Sequence, residues 1–238
     1  MRVVHISDTH GAHRFLDASI SSYSADVIVH SGDVSRVGGV NECYAFLDWF
    51  SKLDYDHKIL VPGNHDKFFE TIYNLEDKAA LKDIEDLGIT LLMNKGVEID
   101  GIYFWGSPFT PEFMDWSFQL YPEEQKTFWD QIPEKTDVLI THGPAYGLLD
   151  NNQLSKSHQP NLGCPFLRQR IDELQIGAHL FGHIHEGYGD RVVDKSYLAL
   201  NSALMGNAGY LSRLPQMFEI THDGDKTMCK LQSVNAKA

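Results

Sequence analysis

The segment Val3-Val4-His5-Ile6-Ser7-Asp8-Thr9-His10 contains the pattern that decides the fold, a short apolar run followed at once by polar side chains. Similar β-type runs occur at residues 27–30, 58–61, 138–140 and 179–181. The polar blocks that follow the five runs are Asp8-Thr9-His10, Gly32-Asp33, Gly63-Asn64-His65-Asp66, His142-Gly143-Pro144 and Gly182-His183-Ile184-His185. Because ligands bind beyond the carboxyl ends of the strands in open α/β sheets, the five blocks are predicted to converge on one site.

The first third of the chain alternates strands with helices. Strands are predicted at residues 2–6, at 26–30 and in a run that ends at Pro62. Helices are predicted at 40–53 and 78–87, where apolar residues recur at helical spacing, and the second helix is predicted to end at a C-cap at Gly88. This order predicts parallel strands joined by right-handed crossovers.

The middle of the chain changes from helical spacing to short apolar runs. The runs at 89–93, 96–100 and 102–106 predict strands connected by hairpins. An aromatic loop, residues 108–121, follows them.

The last part of the chain returns to alternating elements and then to strands. Helices are predicted at about 123–131 and 164–175, and the part from Tyr197 onward is predicted to form mostly strands. The sequence has no internal repeat and no flexible linker. Residues 1–238 are therefore predicted to form a single α/β domain with two sheets.

Composition argues against several classes of protein. The net charge of −13 and the lack of any Lys- or Arg-rich run argue against binding of long nucleic acids. Three scattered cysteines, Cys43, Cys164 and Cys229, predict thiols of a reducing compartment rather than a disulfide framework. The sequence has no signal-peptide pattern, and no run approaches the roughly 18 apolar residues of a membrane span. These features predict a cytoplasmic protein without a membrane partner.

Seven side chains in the polar blocks are candidate metal ligands. They are Asp8, His10, Asp33, Asn64, His142, His183 and His185. Four imidazoles, two carboxylates and one amide are too many for one tetrahedral ion, and they suit two ions of higher coordination number. Nitrogen and oxygen ligands without a thiolate favour Mn, Fe, Co or Zn over Ca or Mg. Two such cations are therefore predicted, with manganese expected to serve in vitro.

Other polar residues in or near the blocks have predicted roles in catalysis. A water that bridges two cations about 3.5–4 Å apart is expected to be largely hydroxide and to attack phosphorus in line. His65 is predicted to protonate the leaving alkoxide as general acid, and Asp66 is predicted to orient the ring of His65. Arg36 is predicted to contact either a phosphate oxygen of the substrate or a surface carboxylate.

The ordered blocks resemble those of the calcineurin-like metallophosphoesterase superfamily, and the resemblance extends from residue 3 to at least residue 202. It is greatest to the branch called metallophosphoesterase-domain-containing proteins. The segments that carry this closer resemblance are Phe181-Gly182-His183-Ile184-His185-Glu186-Gly187-Tyr188-Gly189, Asn161-Leu162-Gly163-Cys164 and Leu200-Asn201-Ser202. Asp66 stands where that branch tends to have Glu.

The resemblance implies a fold, a ligand set and an activity. The implied fold is a four-layer sandwich of two packed mixed β-sheets flanked by helices. One metal would be held by Asp8, His10, Asp33 and His185, and the other by Asp33, Asn64, His142 and His183. The implied activity is hydrolysis of cyclic nucleotides, either 2′,3′- or 3′,5′-cyclic.

Several features have more than one interpretation. The aromatic loop is either a platform on which a base stacks or a part of the core or of an interface. The polar loop 151–161 is either solvated surface or a lid that faces the substrate. Histidines outside the blocks, such as His5, His13 and His179, are interpreted as structural or surface residues.

Three functions are compatible with the sequence. The first is a phosphodiesterase that acts on a small-molecule diester, which the acidic charge favours over a nuclease for long DNA. The second is a phosphomonoesterase, including a phosphoprotein phosphatase, because the same metal core serves both reactions. The third is a non-catalytic scaffold, against which the complete set of ligands and His65 argues.

Overall fold

The computed structural model describes residues 1–151, 161–194, 197–206, 208–223 and 226–232. The strands are β1 (Arg2–Ile6), β2 (Val27–His30), β3 (His57–Leu60), β4 (Ile89–Leu91), β5 (Lys95–Ile99), β6 (Ile102–Ser107), β7 (Thr110–Pro111), β8 (Gln119–Leu120), β9 (Val138–Thr141), β10 (Ala178–Phe181), β11 (Gly189–Val193), β12 (Tyr197–Asn201), β13 (Gln216–Asp223) and β14 (Lys226–Gln232). The α-helices are α1 (Asp17–Ile20), α2 (Val40–Ser51), α3 (Lys67–Leu75), α4 (Lys78–Asp86), α5 (Pro122–Trp129) and α6 (Pro165–Glu173), and 3₁₀ turns span His13–Leu16 and His185–Gly187.

Two six-stranded mixed sheets form the body of the fold. The first has the order β14-β13-β1-β2-β3-β4, in which β1 to β4 are parallel and β13 is antiparallel to both neighbours. The second has the order β11-β12-β10-β9-β6-β5, in which the four central strands are parallel and both edge strands are antiparallel. This architecture confirms the predicted α/β class with two mixed sheets.

Alternation along the strands divides the apolar residues between three cores. Val3 and Val27 of the first sheet share a core with Phe104 and Leu180 of the second, which places this core between the sheets. The opposite face of the first sheet packs on α2, α3 and α4, and that of the second packs on α5 and α6. The layers are therefore helix, sheet, sheet and helix, as the family resemblance implies.

The prediction of three hairpin-connected strands is wrong for the first of them. Strand β4 pairs in parallel with β3 in the first sheet, and the chain then crosses to the second sheet, where β5 and β6 form the hairpin. Leu92, just after β4, is buried between the sheets and its N–H donates to the carbonyl of Leu60 at 2.8 Å. Pairing with a distant strand has therefore overridden the local pattern.

Several other boundaries differ from the prediction or extend it. Helix α3 was not predicted, although its Phe69 and Ile72 are buried against the first sheet. Gly88 lies after α4 with φ of 73° and donates to the carbonyl of Glu85 at 2.8 Å, which agrees with a C-cap there. The aromatic loop contains the short parallel pair β7 and β8. Residues 152–160 of the predicted polar loop lie outside the described residues.

None of the helices in the described residues combines the length and the apolarity that crossing a membrane requires.

Candidate metal centre

The seven predicted ligands meet where five strands end. They lie in the loops after β1, β2 and β3 of the first sheet and after β9 and β10 of the second. Within this set, two groups have ligand atoms that all lie within 4.8 Å of one another. These groups are Asp8, His10 and His185, and Asp33, His142 and His183. Each group contains three of the four residues in one of the ligand sets implied by the family resemblance.

The three ligand atoms of the first group lie close together. The Nε2 atoms of His10 and His185 are 3.3 Å apart, and Nε2 of His185 is 3.2 Å from Oδ1 of Asp8. Oδ2 of Asp33 is 3.6 Å from Nε2 of His10. Two imidazole nitrogens and two carboxylates therefore face a shared position.

The second group is built around the other oxygen of Asp33. Nε2 of His142 is 3.3 Å from Oδ1 of Asp33 and 2.9 Å from Oδ1 of Asn64. The ring of His183 lies with its centroid 4.9 Å from that of His142. Asp33 consequently presents one oxygen to each group.

Main-chain carbonyls fix which nitrogen of two histidines faces the centre. Nδ1 of His10 lies 3.2 Å from the carbonyl oxygen of Ser35, and Nδ1 of His142 lies 2.9 Å from that of Ser31. A carbonyl only accepts, so each Nδ1 must carry a proton, and Nε2 is the nitrogen that faces the centre as the potential ligand. The donor set therefore fits divalent cations that accept imidazole and carboxylate ligands.

The pKa values of the buried groups are shifted by burial and by the charges of their neighbours. Burial alone would raise the pKa of Asp8, but its hydrogen bond with His185 and the charges of nearby histidines hold that pKa well below its usual value. Burial would lower the pKa of His142, yet the charge of Asp33 and the hydrogen bond to it raise this pKa to about 9. Burial and the charge of His142 lower the pKa of His183 to about 4. A cation must therefore compete with a proton at His142 but not at His183.

The backbone of the ligand loops is strained. Four predicted ligands have a left-handed backbone, with φ of 53° at Asp8, 42° at His10, 57° at Asp33 and 65° at His183. Such conformations cost about 1–2 kcal/mol each in residues other than glycine and are concentrated at functional sites. Gly182 lies so close to Asp8 that any side chain there would overlap the carboxylate.

His65 lies at the edge of the centre with its ring held on several sides. Its Nδ1 donates to the carbonyl oxygen of Arg36 at 2.6 Å, and its backbone N–H donates to Oδ1 of Asp33 at 2.9 Å. Its ring packs against those of Trp116 and His10, with centroid distances of 4.0 and 4.8 Å. A ligand atom of His65 also lies within 4.8 Å of those of His10 and Asp33, so His65 is close enough to the centre to act there.

Asp66 has a different role from the predicted one. Its carboxylate is fully buried and accepts hydrogen bonds from the backbone N–H groups of Val34, Ser35 and Gly63 and from the hydroxyl of Ser35. Because Nδ1 of His65 is bonded to the main chain, Asp66 does not orient that ring. Asp66 instead ties the loop after β3 to the loop after β2.

Arg36 is exposed, and its side chain packs along the ligand loops. Its Nε donates to the carbonyl oxygen of His10 at 3.1 Å. This bond fixes the loop after β1, a role that the sequence did not indicate.

Three buried histidines support the ligand loops from below. Nε2 of His30 lies 3.0 Å from the hydroxyl of Thr9, and Nε2 of His179 lies 2.8 Å from that of Thr141. His5 lies between the hydroxyls of Ser31 and Ser202, at 2.8 and 2.7 Å. The interpretation of His5 and His179 as structural residues therefore agrees with their burial.

A cavity of about 510 Å³ opens above the centre. Its lining comprises His10, Asp33, Asn64, His65, Phe113, Met114, Trp116, His183, Ile184, His185, Glu186, Met205, Gly206 and Gly209. Apolar side chains of the aromatic loop form one wall, and Met205, Gly206 and Gly209 add to the rim. The contribution of Met205 had no signal in the sequence, because Met205 is an apolar residue outside the polar blocks.

Comparisons with known proteins agree with this geometry. Residues 1–187 match the family described as calcineurin-like phosphoesterase. Metallophosphoesterase domain-containing protein 1 of Homo sapiens is 34% identical over an alignment of 208 residues, and the match covers 79% of this chain and 61% of the human protein. A UPF0046 protein of Caenorhabditis elegans is 30% identical over 240 residues, with coverage of 95% and 83%. The probable rhamnogalacturonate lyase C of Emericella nidulans is 33% identical over 203 residues, but the chain spans only 18% of it.

Two solved structures share the fold at low sequence identity. TT1561 of Thermus thermophilus is 14% identical with a TM-score of 0.59, and the match covers 86% of this chain and 91% of that one. Phosphopantetheinyl hydrolase from Mycobacterium tuberculosis is 16% identical with a TM-score of 0.52, and the match covers 84% and 87%. At these identities the likeness concerns the fold alone.

Proposed function

The chain belongs to the calcineurin-like phosphoesterase family, and from this premise we propose that it hydrolyses small phosphodiesters with two divalent cations. The observation that carries the proposal is the position of Asp33. Its two oxygens face two different groups of ligands, at 3.6 Å from His10 and 3.3 Å from His142. A carboxylate so placed can bridge two cations.

The residues of the chain have distinct roles in this proposal. Asp8, His10, Asp33 and His185 would hold one cation, and Asp33, Asn64, His142 and His183 the other. Two bound cations would neutralise phosphoryl oxygens and activate water as a nucleophile. We propose manganese as the metal that supports activity in vitro.

His65 is proposed as the general acid. While Nδ1–H stays bonded to the Arg36 carbonyl, the doubly protonated ring can transfer the proton on Nε2 to the leaving alkoxide and become neutral. The bond from its backbone N–H to Asp33 holds the acid in a fixed position relative to the shared ligand. General acids of this kind contribute about 10²–10⁴ in rate.

The lining of the cavity supports a diester in preference to a monoester. A dianionic monoester usually needs cationic side chains, whereas no Lys or Arg is among the described residues that line this cavity. Glu186 adds a negative charge, while Phe113 and Met114 offer an apolar wall for a second ester arm. A cyclic nucleotide is a monoanionic diester of suitable size, and we propose this class as the substrate.

We further propose a cytoplasmic location and a small-molecule substrate. The three cysteines are free thiols, which supports a reducing compartment. The net charge of −13 supports a small substrate over a long nucleic acid.

The test compares bis-p-nitrophenyl phosphate with p-nitrophenyl phosphate, using metal-stripped protein resupplied with Mn²⁺. The expected result is faster hydrolysis of the diester than of the monoester. Asp33→Asn should lose this diesterase activity. The control variant Asp83→Asn, which removes an exposed carboxylate of α4, should retain it. Preference for the monoester would instead favour a phosphatase. No turnover of either ester by protein that contains two equivalents of metal would refute an esterase of either kind.

A further inference from the structure

We propose that Trp116 is a positioning residue that holds the imidazole of His65 in the orientation required for proton transfer. The inference rests on the proposed function, since it assigns a partner to the proposed general acid. The two rings have centroids 4.0 Å apart and planes inclined by 34°, so the indole covers one face of the imidazole.

The imidazole of His65 needs such support because it is only partly buried. Its one side-chain hydrogen bond among the described residues joins Nδ1 to the Arg36 carbonyl. A single bond at Nδ1 fixes one atom but leaves the ring free to tilt about that atom. His10 meets the ring edge-on, at an interplanar angle of 86°, and does not cover a face. The indole of Trp116 therefore supplies the constraint that sets the plane of the ring and the direction of Nε2.

Trp116 is itself held by the two residues that follow it. The N–H of Ser117 donates to the carbonyl of Asn64 at 3.0 Å, and the N–H of Phe118 donates to the carboxylate of Glu70 at 2.7 Å. Phe118 is fully buried, whereas Phe113 on the far side of the same loop is 62% exposed. The Trp116 side of the loop is thus anchored to residues outside the loop.

The anchors of Trp116 lie on the segment that carries His65. Asn64 directly precedes His65, and Glu70 belongs to α3, which begins two residues after it. The segments that carry Trp116 and His65 are therefore bonded directly to each other. A change elsewhere in the loop should leave the contact between the two rings intact. A ring that packed by chance on a mobile loop would not show these bonds.

Loss of the indole should act through His65 alone. Without it the imidazole samples other tilts, and only part of the population presents Nε2 to the leaving oxygen. We expect kcat to fall by about tenfold on an ester with a poor leaving group, which is a part of the ~10²–10⁴ in rate that a general acid contributes. An ester with a good leaving group needs little protonation, so its kcat should change much less.

The experiment compares methyl phenyl phosphate with methyl p-nitrophenyl phosphate in Mn²⁺-loaded protein. The variants are Trp116→Leu, Trp116→Phe, His65→Asn and the double variant of Trp116→Leu with His65→Asn. Trp116→Leu should lower kcat on the phenyl ester selectively, Trp116→Phe should restore part of the loss, and the double variant should be no slower than His65→Asn. Tyr44→Leu is the matched control, since Tyr44 packs on Phe68 outside the cavity.

Two kinetic outcomes would overturn the inference. Equal losses on both esters, or additive losses in the double variant, would mean that Trp116 does not act through His65. A higher KM with unchanged kcat would assign Trp116 to substrate binding instead.

A second measurement separates this inference from the proposed function. In metal-free protein, the ring protons of His65 should show an upfield NMR shift from the indole ring current, and Trp116→Leu should remove the shift. If the shift is present while the wild type hydrolyses neither ester, the contact exists but the proposed function is refuted. If the shift is absent in the wild type, the positioning role is refuted whatever the activity.

Discussion

Replacement of His179 by glutamine should make the stability of the protein less sensitive to acid. His179 is fully buried on β10, and its Nε2 lies 2.8 Å from the hydroxyl of Thr141. That hydroxyl donates to the carbonyl of Gly143 at 2.6 Å, so Nε2 must donate to it, as the neutral ring can. Burial, with a smaller contribution from the charge of His5, lowers the pKa of His179 to about 3.

The sign and the size of the effect follow from proton linkage. The unfolded chain binds a proton at this histidine below its ordinary pKa of about 6.5, whereas the folded protein does so only near pH 3. The free energy of unfolding therefore falls as the pH is lowered through that interval. Each such histidine contributes a fall of about 1.4 kcal/mol per pH unit. Between pH 7 and pH 5 the free energy of unfolding should fall by about 2 kcal/mol on account of His179 alone.

Two further histidines contribute in the same direction. Burial also lowers the pKa values of His5 and His30 to about 3. Together the three sites should remove about 6 kcal/mol between pH 7 and pH 5, a large share of the stability of a typical domain. The wild type is thus expected to unfold in moderate acid.

The assay is urea unfolding of metal-free protein at pH 7, 6 and 5. The glutamine amide can still donate to Thr141, so His179→Gln removes the titration and keeps the hydrogen bond. The loss of stability between pH 7 and pH 5 should be about 2 kcal/mol smaller in the variant. Leu139→Ala, in the adjacent strand β9, should lower stability at every pH and leave the slope unchanged. Identical slopes for wild type and His179→Gln would refute the reasoning.

The remaining predictions concern the metal centre and its loops. Asp33→Asn should lose metal binding at both groups while the circular dichroism spectrum stays that of the wild type; retention of two equivalents in elemental analysis would contradict this. Gly182→Ala should displace the carboxylate of Asp8 and weaken Mn²⁺ binding by about 10–100-fold in calorimetry, and an unchanged affinity would be evidence against the close packing. In Asp66→Asn, an amide NH₂ group would face backbone N–H donors in place of a carboxylate oxygen. The free energy of unfolding, measured in urea, should fall by about 1–3 kcal/mol. A variant as stable as the wild type would show that these hydrogen bonds are dispensable.

The sequence was sufficient to predict the elements that end in the site. The strands β1, β2, β9 and β10 are apolar runs of four or five residues, and each is followed directly by a polar block. Both signals are contained in a few consecutive residues. The apolar run is needed for a buried strand, and the polar block is needed for the loop that follows it. The rule that polar groups gather beyond parallel strands then brings the ligands together without any knowledge of distances.

Features that depend on distant partners could not be predicted in this way. Strand β4 looks like a hairpin partner of the next run, but its actual partner is β3, about thirty residues earlier. The carboxylate of Asp66 follows a histidine directly, yet its partners lie on the loop after β2 and at Gly63. The contact between Trp116 and His65 joins residues about fifty positions apart and leaves no spacing signal.

The strained backbone of the ligand loops is held by hydrogen bonds from one loop to the next. The N–H of Asp8 donates to the carbonyl of Gly32, and that of His10 donates to the carbonyl of Asp33, each at 2.9 Å. The N–H of His183 donates to the carboxylate of Asp8 at 3.0 Å. Each bond contributes about 0.5–1.5 kcal/mol, comparable with the cost of one left-handed residue. The loops therefore hold one another in the conformation that presents the ligands to the centre.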